Sequence, residues 1–477
     1  MANLKHKLEN PIFHQIAQVA KESNTKVYVI GGYVRDLLLG IPCKDLDFVI
    51  AGSGIEFAQK IGEKLKCKRN VVVYRNFGTA MLRYRGIELE FVGARKESYD
   101  RNSRKPIVED GTLDDDQKRR DFTINALAIS LNPEDFGELT DPFNGLKDLE
   151  NQIIKTPLDP DITFSDDPLR MLRAIRFACR LGFTIHPQTE AAIAKNKERM
   201  SIVSKERIVD ELNKIMMTNN PSVGFKLLDK TGLLELILPQ LTKLKGVEVK
   251  EGRAHKEIFL HTLQVLDNVA AVSDNMWLRY AALFHDIAKP NVKKFINNTW
   301  TFHNHEFIGA KMIPTIFKAM KLPLNDKMKY VQKIVGMHHR AIPISNNEIT
   351  DSAVRRLMYD AGTDLDDLLI LCEADITSKI EEKKIKFLNN YKIVRRKIKE
   401  LEQKDFRRTW QPPIDGNFIM ETFNLKPSRL VGQIKDCIKD SILDGKIENT
   451  FEAAYNLMLK KGEENGLKPV KNLSENK

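Results

Sequence analysis

Long apolar runs are missing from this chain: none approaches the roughly 20 residues needed to cross a bilayer. No membrane partner is therefore predicted. Met1-Ala2-Asn3-Leu4-Lys5-His6 also lacks the apolar stretch of a signal peptide, which predicts a cytoplasmic protein. Cysteine is scarce. Cys43, Cys67, Cys179, Cys372 and Cys437 are odd in number, dispersed and never in a C-x-x-C pair. That excludes a disulfide framework and a cysteine zinc cluster, and the five read as reduced buried thiols. There is no internal repeat, and no low-complexity tract exceeds the polar end Lys468 to Lys477, which is expected to fray. Positive charge, by contrast, is plentiful: 76 Lys and Arg against 65 Asp and Glu leave a net +11. Such a balance suits a polyanionic partner. At 477 residues the chain exceeds what one core usually serves, so three or four domains are expected.

Between residue 27 and about 155, β-like runs (Val71 to Tyr74, Thr79 to Leu82, Ile87 to Val92) alternate with helical stretches. Beyond about 160 the β signals nearly vanish, and helical periodicity takes over at Leu172, Ile175, Phe177 or Ala178, and then Leu181. The prolines of Lys155-Thr156-Pro157-Leu158-Asp159-Pro160 interrupt both patterns. Seven of the ten histidines fall between His255 and His339, and lysines and arginines crowd after about 376. The expected division is 1–155, 156–250, 251–376 and 377–477. The expected fold class is α+β: a head of small mixed β-sheet with helices, then all-α segments.

The most informative passage is Gly31-Gly32-Tyr33-Val34-Arg35-Asp36, followed by Lys44-Asp45-Leu46-Asp47-Phe48. Val27 to Ile30 is β-like, so the glycines sit where a strand turns into a helix. Glycine there allows close approach of a phosphate, and the helix start aims N–H groups and a dipole at the anion. Leu37, Leu38 and Leu39 supply the buried face, and Gly40-Ile41-Pro42 ends the helix. Alternation in the next strand puts Asp45 and Asp47 on one face with Leu46 and Phe48 packing behind. Two adjacent carboxylates beside a phosphate cradle call for a divalent cation between them, and Mg2+ suits few protein oxygens plus water and phosphate. The constellation reads as metal-dependent phosphoryl or nucleotidyl transfer.

This order of residues resembles the G-G-x-V-R-D-x-L-L-G-x-x-x-x-D-x-D signature of the nucleotidyltransferase superfamily. That form is found in the bacterial class II tRNA nucleotidyltransferases (CCA-adding enzymes) and their poly(A) polymerase relatives. The resemblance implies a nucleotidyltransferase head, a nucleotide-binding role for Gly31, Gly32 and Arg35, and a third carboxylate on the following strand. Ile87, Leu89 and Phe91 alternate there as a buried face and leave Glu88 and Glu90 on the other. Glu90, five residues before Arg95, matches the family's spacing. Lys96 to Arg104 is polar, has almost no apolar periodicity and reads as a mobile loop beside the site. Arg119-Arg120-Asp121-Phe122-Thr123-Ile124-Asn125-Ala126-Leu127 looks like a helix start with Asp121 near its N-cap. It resembles the family's R-R-D-F-T-I-N-A-L block, which implies Arg120, before Arg119, on the triphosphate and Asp121 and Asn125 at the sugar. Asp141-Pro142-Phe143-Asn144-Gly145-Leu146-Lys147-Asp148-Leu149 resembles the D-x-x-x-G-x-x-D-L motif, and its own chemistry favours a glycine turn into a helix.

Arg170, Arg173 and Arg176 recur every three residues after Asp166-Asp167-Pro168 and would fan along one side of a helix starting at Pro168, with Asp167 at its N-cap. A carboxylate and a guanidinium suffice to read a base edge. The family's E-D-x-x-R motif, here with Asp166 in place of Glu, implies that Asp167 and Arg170 select CTP or ATP. Lys205 to Leu212 resembles the family's next helical motif, a structural brace.

The ordered set His261, His285-Asp286 and Asp375, with His305 and His338 or His339 as auxiliary ligands, lies on helices and resembles the HD-domain metal phosphohydrolases. Histidine with aspartate suits Ni2+, Co2+, Mn2+ or Fe2+ better than Mg2+. Residues 376 to 410 carry twelve Lys or Arg against five Asp or Glu, a local net of +7. Ile385, Leu388, Tyr391, Val394, Ile398 and Leu401 recur there at helical spacing, so one stripe packs and the rest presents cations to RNA phosphates. The segment from Pro412 to Ile447 resembles the CCA-adding tail. Together these readings predict an enzyme that adds C and A from CTP and ATP to the tRNA 3′ end without a template. Poly(A) polymerase or C-only or A-only addition is the alternative within the fold, and an HD phosphohydrolase with a nucleotide-binding or RNA-binding head is the alternative from another class. The partners expected are tRNA, CTP and ATP, with no protein partner.

Overall fold

The computed structural model describes residues 3–75, 78–99, 106–254, 257–340, 350–378, 380–403 and 411–470. Lys471 to Lys477 of the polar end, residues 100–105 of the charged segment and 404–410 of the basic stretch lie outside the described residues. The chain forms two compact units, Met1–Lys243 with Met320–Leu322, and Leu244–Ala319 with Pro323–Lys477. Among the described residues no helix is long and apolar enough to cross a membrane.

The first unit is built on a seven-stranded mixed sheet. Its strands are β1 (Val27–Ile30), β2 (Asp45–Ile50), β3 (Val71–Tyr74), β4 (Thr79–Tyr84), β5 (Ile87–Gly93), β8 (Ala128–Ser130) and β9 (Leu139–Thr140), with β6 (Arg95–Tyr99) and β7 (Pro106–Asp110) paired separately. The order across the sheet is β3-β4-β5-β2-β1-β8-β9. β2 runs parallel to β5. β1 and β2 pair antiparallel, so the connection from the glycine turn returns the chain along its own strand. One sheet face is apolar: Val27, Val29, Leu46, Phe48, Leu89 and Phe91 are buried with Ile12, Phe13 and Ile16 of the helix Pro11–Glu22. The Phe48 and Phe91 rings stack at 5.0 Å across the parallel pair. Each such buried side chain contributes about 1.5–3 kcal/mol, which fixes the register of every carboxylate on the opposite face.

Several local expectations are met in altered form. The charged stretch after Arg95 is not a loop throughout, because β6 and β7 pair antiparallel from Arg95 opposite Asp110 to Tyr99 opposite Pro106. Backbone pairing needs no apolar period when the ladder itself satisfies the polar groups. The helix start lies at Thr112 instead of Asp121: Thr112 and Asp115 form a capping box on the helix Leu113–Lys118, and residues Thr123–Asn125 make only a 3-10 turn. Asp167 ends the helix Pro160–Asp166, and Pro168 holds the N-cap of the helix Leu169–Leu181. The Asp167 carboxylate still accepts from the Leu169 N–H at 3.2 Å. Asp141 accepts from the amides of Gly145 (2.7 Å) and Leu146 (2.9 Å), so the expected glycine turn into a helix is capped from outside. Among the described residues, further two-stranded pairs join 153–154 with 184–185, 249–250 with 253–254 and 294–296 with 299–301.

The second unit gathers its helices, among them Ile258–Ala270, Met276–Phe284 and Leu365–Ala374, around a histidine-lined centre. The basic helix Glu381–Gln403 buries Tyr391, Val394, Ile398 and Leu401. Ile385 is exposed, so the apolar stripe packs only along the later turns. All five cysteines are free; Cys372 is buried, the other four half-buried.

A buried ion pair joins two helices of the first unit. Arg176 Nε donates to Glu211 Oε2 at 2.6 Å, and both side chains are almost fully enclosed. Thus Lys205–Met216, which carries Glu211, braces the arginine helix. Removing one partner of such a pair leaves a buried charge uncompensated. Glu211→Ala should lower the stability of this unit by about 3–5 kcal/mol, read from the midpoint of its denaturant unfolding.

Candidate active site

Register in the parallel pair builds the first site. Asp45 lies opposite Glu88 and Asp47 opposite Glu90, so four carboxylates share one sheet face. Glu88 turns to Arg83, whose Nε donates to it at 2.6 Å. Glu90 remains beside Asp47, in the geometry expected of a third acidic group. Burial raises the pKa of Asp47, and the Asp45 charge adds to that while Arg120 opposes it. Burial likewise raises Glu90, and the Asp47 charge adds. Carboxylates crowded in this way fit a divalent cation.

Above them stands a set of arginines. Asp116, fully buried on the helix Leu113–Lys118, accepts from Arg119 Nε at 2.8 Å and Arg120 Nε at 3.0 Å. Gly31 has φ +82°, and a Cβ there would lie 2.6 Å from Arg120 Nη1. The space its missing side chain leaves is therefore filled by a guanidinium. The Gly31 N–H itself donates to the Leu127 carbonyl at 3.1 Å, so that amide serves the backbone. Gly32 begins the helix Gly32–Leu39. Arg35 is buried; its Nε donates to Asp36 Oδ1 at 2.8 Å and its Nη1 to Asn125 Oδ1 at 2.6 Å. Asn125 Nδ2 in turn donates to Asp121 Oδ1 at 2.9 Å, and Arg173 Nε donates to Asp121 Oδ2 at 2.7 Å. Arg170 Nη2 donates to the Arg119 carbonyl at 2.6 Å. Phe177 is ringed by Arg176, Arg35 and Arg173 at 4.0, 4.9 and 5.5 Å.

Two adjoining clefts result. One, of about 320 Å3, is lined by Asp47, Glu90, Arg120, Asp167, Arg170 and Arg207. The other, of about 610 Å3, holds Gly32, Arg35, Asp45, Asn125, Arg176 and Phe177. Asp47, Glu90, Arg120, Asp121 and Arg173 line both. The expected residues line one or both of these adjoining clefts, apart from Gly31, which neither includes; Arg176 lines the second while engaged with Glu211. Asp116, Arg207 and Phe177 escaped sequence reading. Asp116 had a legible signal, since it stands three and four residues before the paired arginines, the spacing of one helical turn.

The second site is the histidine centre. His261 Nε2 lies 2.9 Å from Asp375 Oδ1, and His285 Nε2 lies 3.2 Å from Asp286 Oδ2. Asp286 Oδ1 faces His305 at 3.3 Å and His338 at 3.9 Å. Each oxygen of Asp286 thus addresses a different histidine group. His339 joins His305 and His338 as a third possible ligand, and His261, His285 and Asp286 form the other group. Nδ1–H of His285, His305 and His338 donates to the carbonyls of Ala282, Phe302 and Val335, each at 2.7 Å. Those bonds turn every Nε2 inward, the arrangement a metal-ligating imidazole needs. His285 Nε2 and Asp286 Oδ1 are buried without a hydrogen-bond partner. Burial disfavours charge on His285, yet Asp286 pushes its pKa up to about 10. The geometry demands positive charge there, and a divalent transition metal fits it.

Comparisons agree with this architecture. Residues 27–155 match the Poly A polymerase head domain, 182–245 the "probable RNA and SrmB- binding site of polymerase A", and 258–380 the HD domain. An A-adding tRNA nucleotidyltransferase of Aquifex aeolicus (strain VF5) is 31% identical over 384 residues, 80% of this chain. The chain spans 43% of the length of that curated relative. A tRNA nucleotidyltransferase solved with a primer tRNA and an incoming ATP analog is 27% identical, with TM-score 0.56 over 81% of this chain and 99% of that one. The Thermotoga maritima CCA-adding enzyme complexed with tRNA superposes with TM-score 0.62 over 96% of this chain and 98% of that one. At 22% identity this last likeness speaks to the fold alone. The head and its carboxylate face have the form of a nucleotidyltransferase domain. The chain carries a Poly A polymerase head domain followed in sequence by an HD domain, and it is similar to tRNA nucleotidyltransferases. A head of this family implies dependence on a divalent metal.

Asp121 offers a test of the polar network. Burial raises its pKa, but Arg173 and the Asn125 hydrogen bond outweigh that and hold it at about 2, against 3.8 ordinarily. A depressed carboxylate stabilises above its unfolded pKa and loses that effect as pH falls through the folded one. Asp121→Asn should therefore cost about 2 kcal/mol near neutral pH. The gap from wild type should close between about pH 4 and about pH 2, followed by urea midpoints across that range.

Proposed function

We propose that the protein extends the 3′ end of tRNA without a template, adding C and A from CTP and ATP and releasing pyrophosphate. The observation that carries this reading is the register of β2 against β5, which crowds Asp45, Asp47 and Glu90 on one face below Arg120. In this reading Asp45, Asp47 and Glu90 hold Mg2+. When bound, the metal supplies activation of the ribose hydroxyl and charge neutralisation at the departing pyrophosphate. Arg120 meets the triphosphate, beside the glycine turn of Gly31 and Gly32 and the buried Arg35. Asp121 and Asn125 orient the sugar. Asp167 and Arg170 present an acceptor and a donor fork to the base edge, with Arg173 joining their helix to Asp121. Exposed lysines and arginines of Glu381–Gln403 contact tRNA phosphates.

A second reading, addition of A alone, is favoured by the name of the Aquifex relative. Incubation with tRNAs ending before CCA, after C and after CC, with each NTP separately, distinguishes the two. Asp45→Ala and Asp47→Ala should each lower incorporation by more than about 10³-fold while leaving the fold and tRNA affinity intact. Activity within about tenfold of wild type would contradict the metal-bridged mechanism.

The histidine centre is proposed as a phosphohydrolase site using Ni2+, Co2+, Mn2+ or Fe2+, with Asp286 between His261 and His285 on one side and His305 and His338 on the other. His285→Ala combined with Asp286→Ala should abolish hydrolysis of a 2′,3′-cyclic nucleotide and keep nucleotide addition near wild type. Loss of addition in a folded variant would show that the two centres are coupled.

A further inference from the structure

The proposed reading uses Arg120 but leaves open what holds a flexible guanidinium in place over a bed of carboxylates. Asp116 has no exposure to solvent, and its two oxygens divide between neighbours: Oδ1 accepts from Arg119 and Oδ2 from both Nε and Nη2 of Arg120, each at 3.0 Å. That two-point contact fixes the guanidinium plane and leaves Nη1 pointing away. Nη1 lies where Gly31 would carry its Cβ, 2.6 Å from that position, and Asp47 Oδ2 lies 3.6 Å from the same point. Arg120 is thus clamped from one side by a carboxylate and seated on the other in the gap of a glycine. Without Asp116 the guanidinium would be left to the carboxylates of Asp47 and Glu90, whose charges it already meets and which are assigned to metal.

We propose that Asp116 is a positioning residue for nucleotide transfer: it holds the Arg120 guanidinium in the Gly31 gap, off Asp47 and toward the triphosphate. This rests on the proposed triphosphate role of Arg120. Asp116 need touch neither substrate nor metal. It binds the arginine in the ground state, so its effect must pass through Arg120, whereas a merely structural carboxylate would act whether or not Arg120 is present.

A double-mutant cycle separates the two. kcat and KM for ATP and CTP are measured in Asp116→Asn, Arg120→Ala, Arg119→Ala and the double variants carrying Asp116→Asn. Asp116→Asn should lower kcat/KM about 10²-fold, mostly through a higher KM. It should cost less than about threefold more in the Arg120→Ala background and keep its full effect in the Arg119→Ala background. Gly31→Ala, which closes the gap, should resemble Arg120→Ala, and it serves as the test if Asp116→Asn fails to fold. An undiminished Asp116→Asn effect in the Arg120→Ala background overturns the proposal, as does wild-type kinetics in Asp116→Asn or Gly31→Ala. A wild-type protein that incorporates no nucleotide refutes the transferase reading itself. Calorimetry with inorganic tripolyphosphate then decides: equal loss of affinity in Asp116→Asn and Arg120→Ala supports the clamp, and unchanged affinity in Asp116→Asn overturns it.

Discussion

Parallel pairing of β2 with β5 is the constraint on which the head depends. Phe48 and Phe91 stack behind the sheet and set the register, and that same register brings Asp47 beside Glu90 on the other face. Apolar burial therefore overcomes the repulsion of carboxylates that would otherwise avoid one another. The remainder of the first unit balances that charge. Arginines arrive from just past the end of the helix Leu113–Lys118, from the helix that follows the glycine turn and from the helix Leu169–Leu181, each tied to a second anion: Asp116, Asp36 or Asp121. Those anions keep the cations from collapsing onto the carboxylate face.

The histidine centre solves a related problem with different residues. Three imidazoles each spend Nδ1–H on the carbonyl three residues before them, so the local backbone orients the rings. Their inward nitrogens then surround Asp286, which has one oxygen for each group. Carboxylates dominate the head site and imidazoles this one, so the first suits a hard cation and the second a borderline one.

Much of the sheet was legible, because strands with one buried face carry a period of two and the glycine turn punctuates them. The β6–β7 hairpin was not, since its residues show no apolar alternation and its pairing is a matter of backbone alone. The helix start expected near Asp121 lies earlier in the chain: Thr112 with Asp115 forms the capping box, and the arginine–aspartate motif leads only into a 3-10 turn. Arg176 reads as one of three equivalent arginines in the helix. Only the fold reveals that it is enclosed with Glu211, while Arg170 and Arg173 face the cleft.

Composition, period and motif spacing were enough to determine the α+β head, the helical remainder, the pairing of Asp45 with Asp47 and the ordered histidines, because each is a local property of a strand or helix. Which of Glu88 and Glu90 stays beside Asp47 was decided by tertiary structure, through the β2–β5 register that sets Glu90 opposite Asp47 and the arginine that engages Glu88. So were the burial of Asp116 beneath two arginines and the meeting of His261 with Asp375, 114 positions apart in the chain, at 2.9 Å. These depend on distances between elements that are remote in sequence, and only the packing of apolar faces determines those distances.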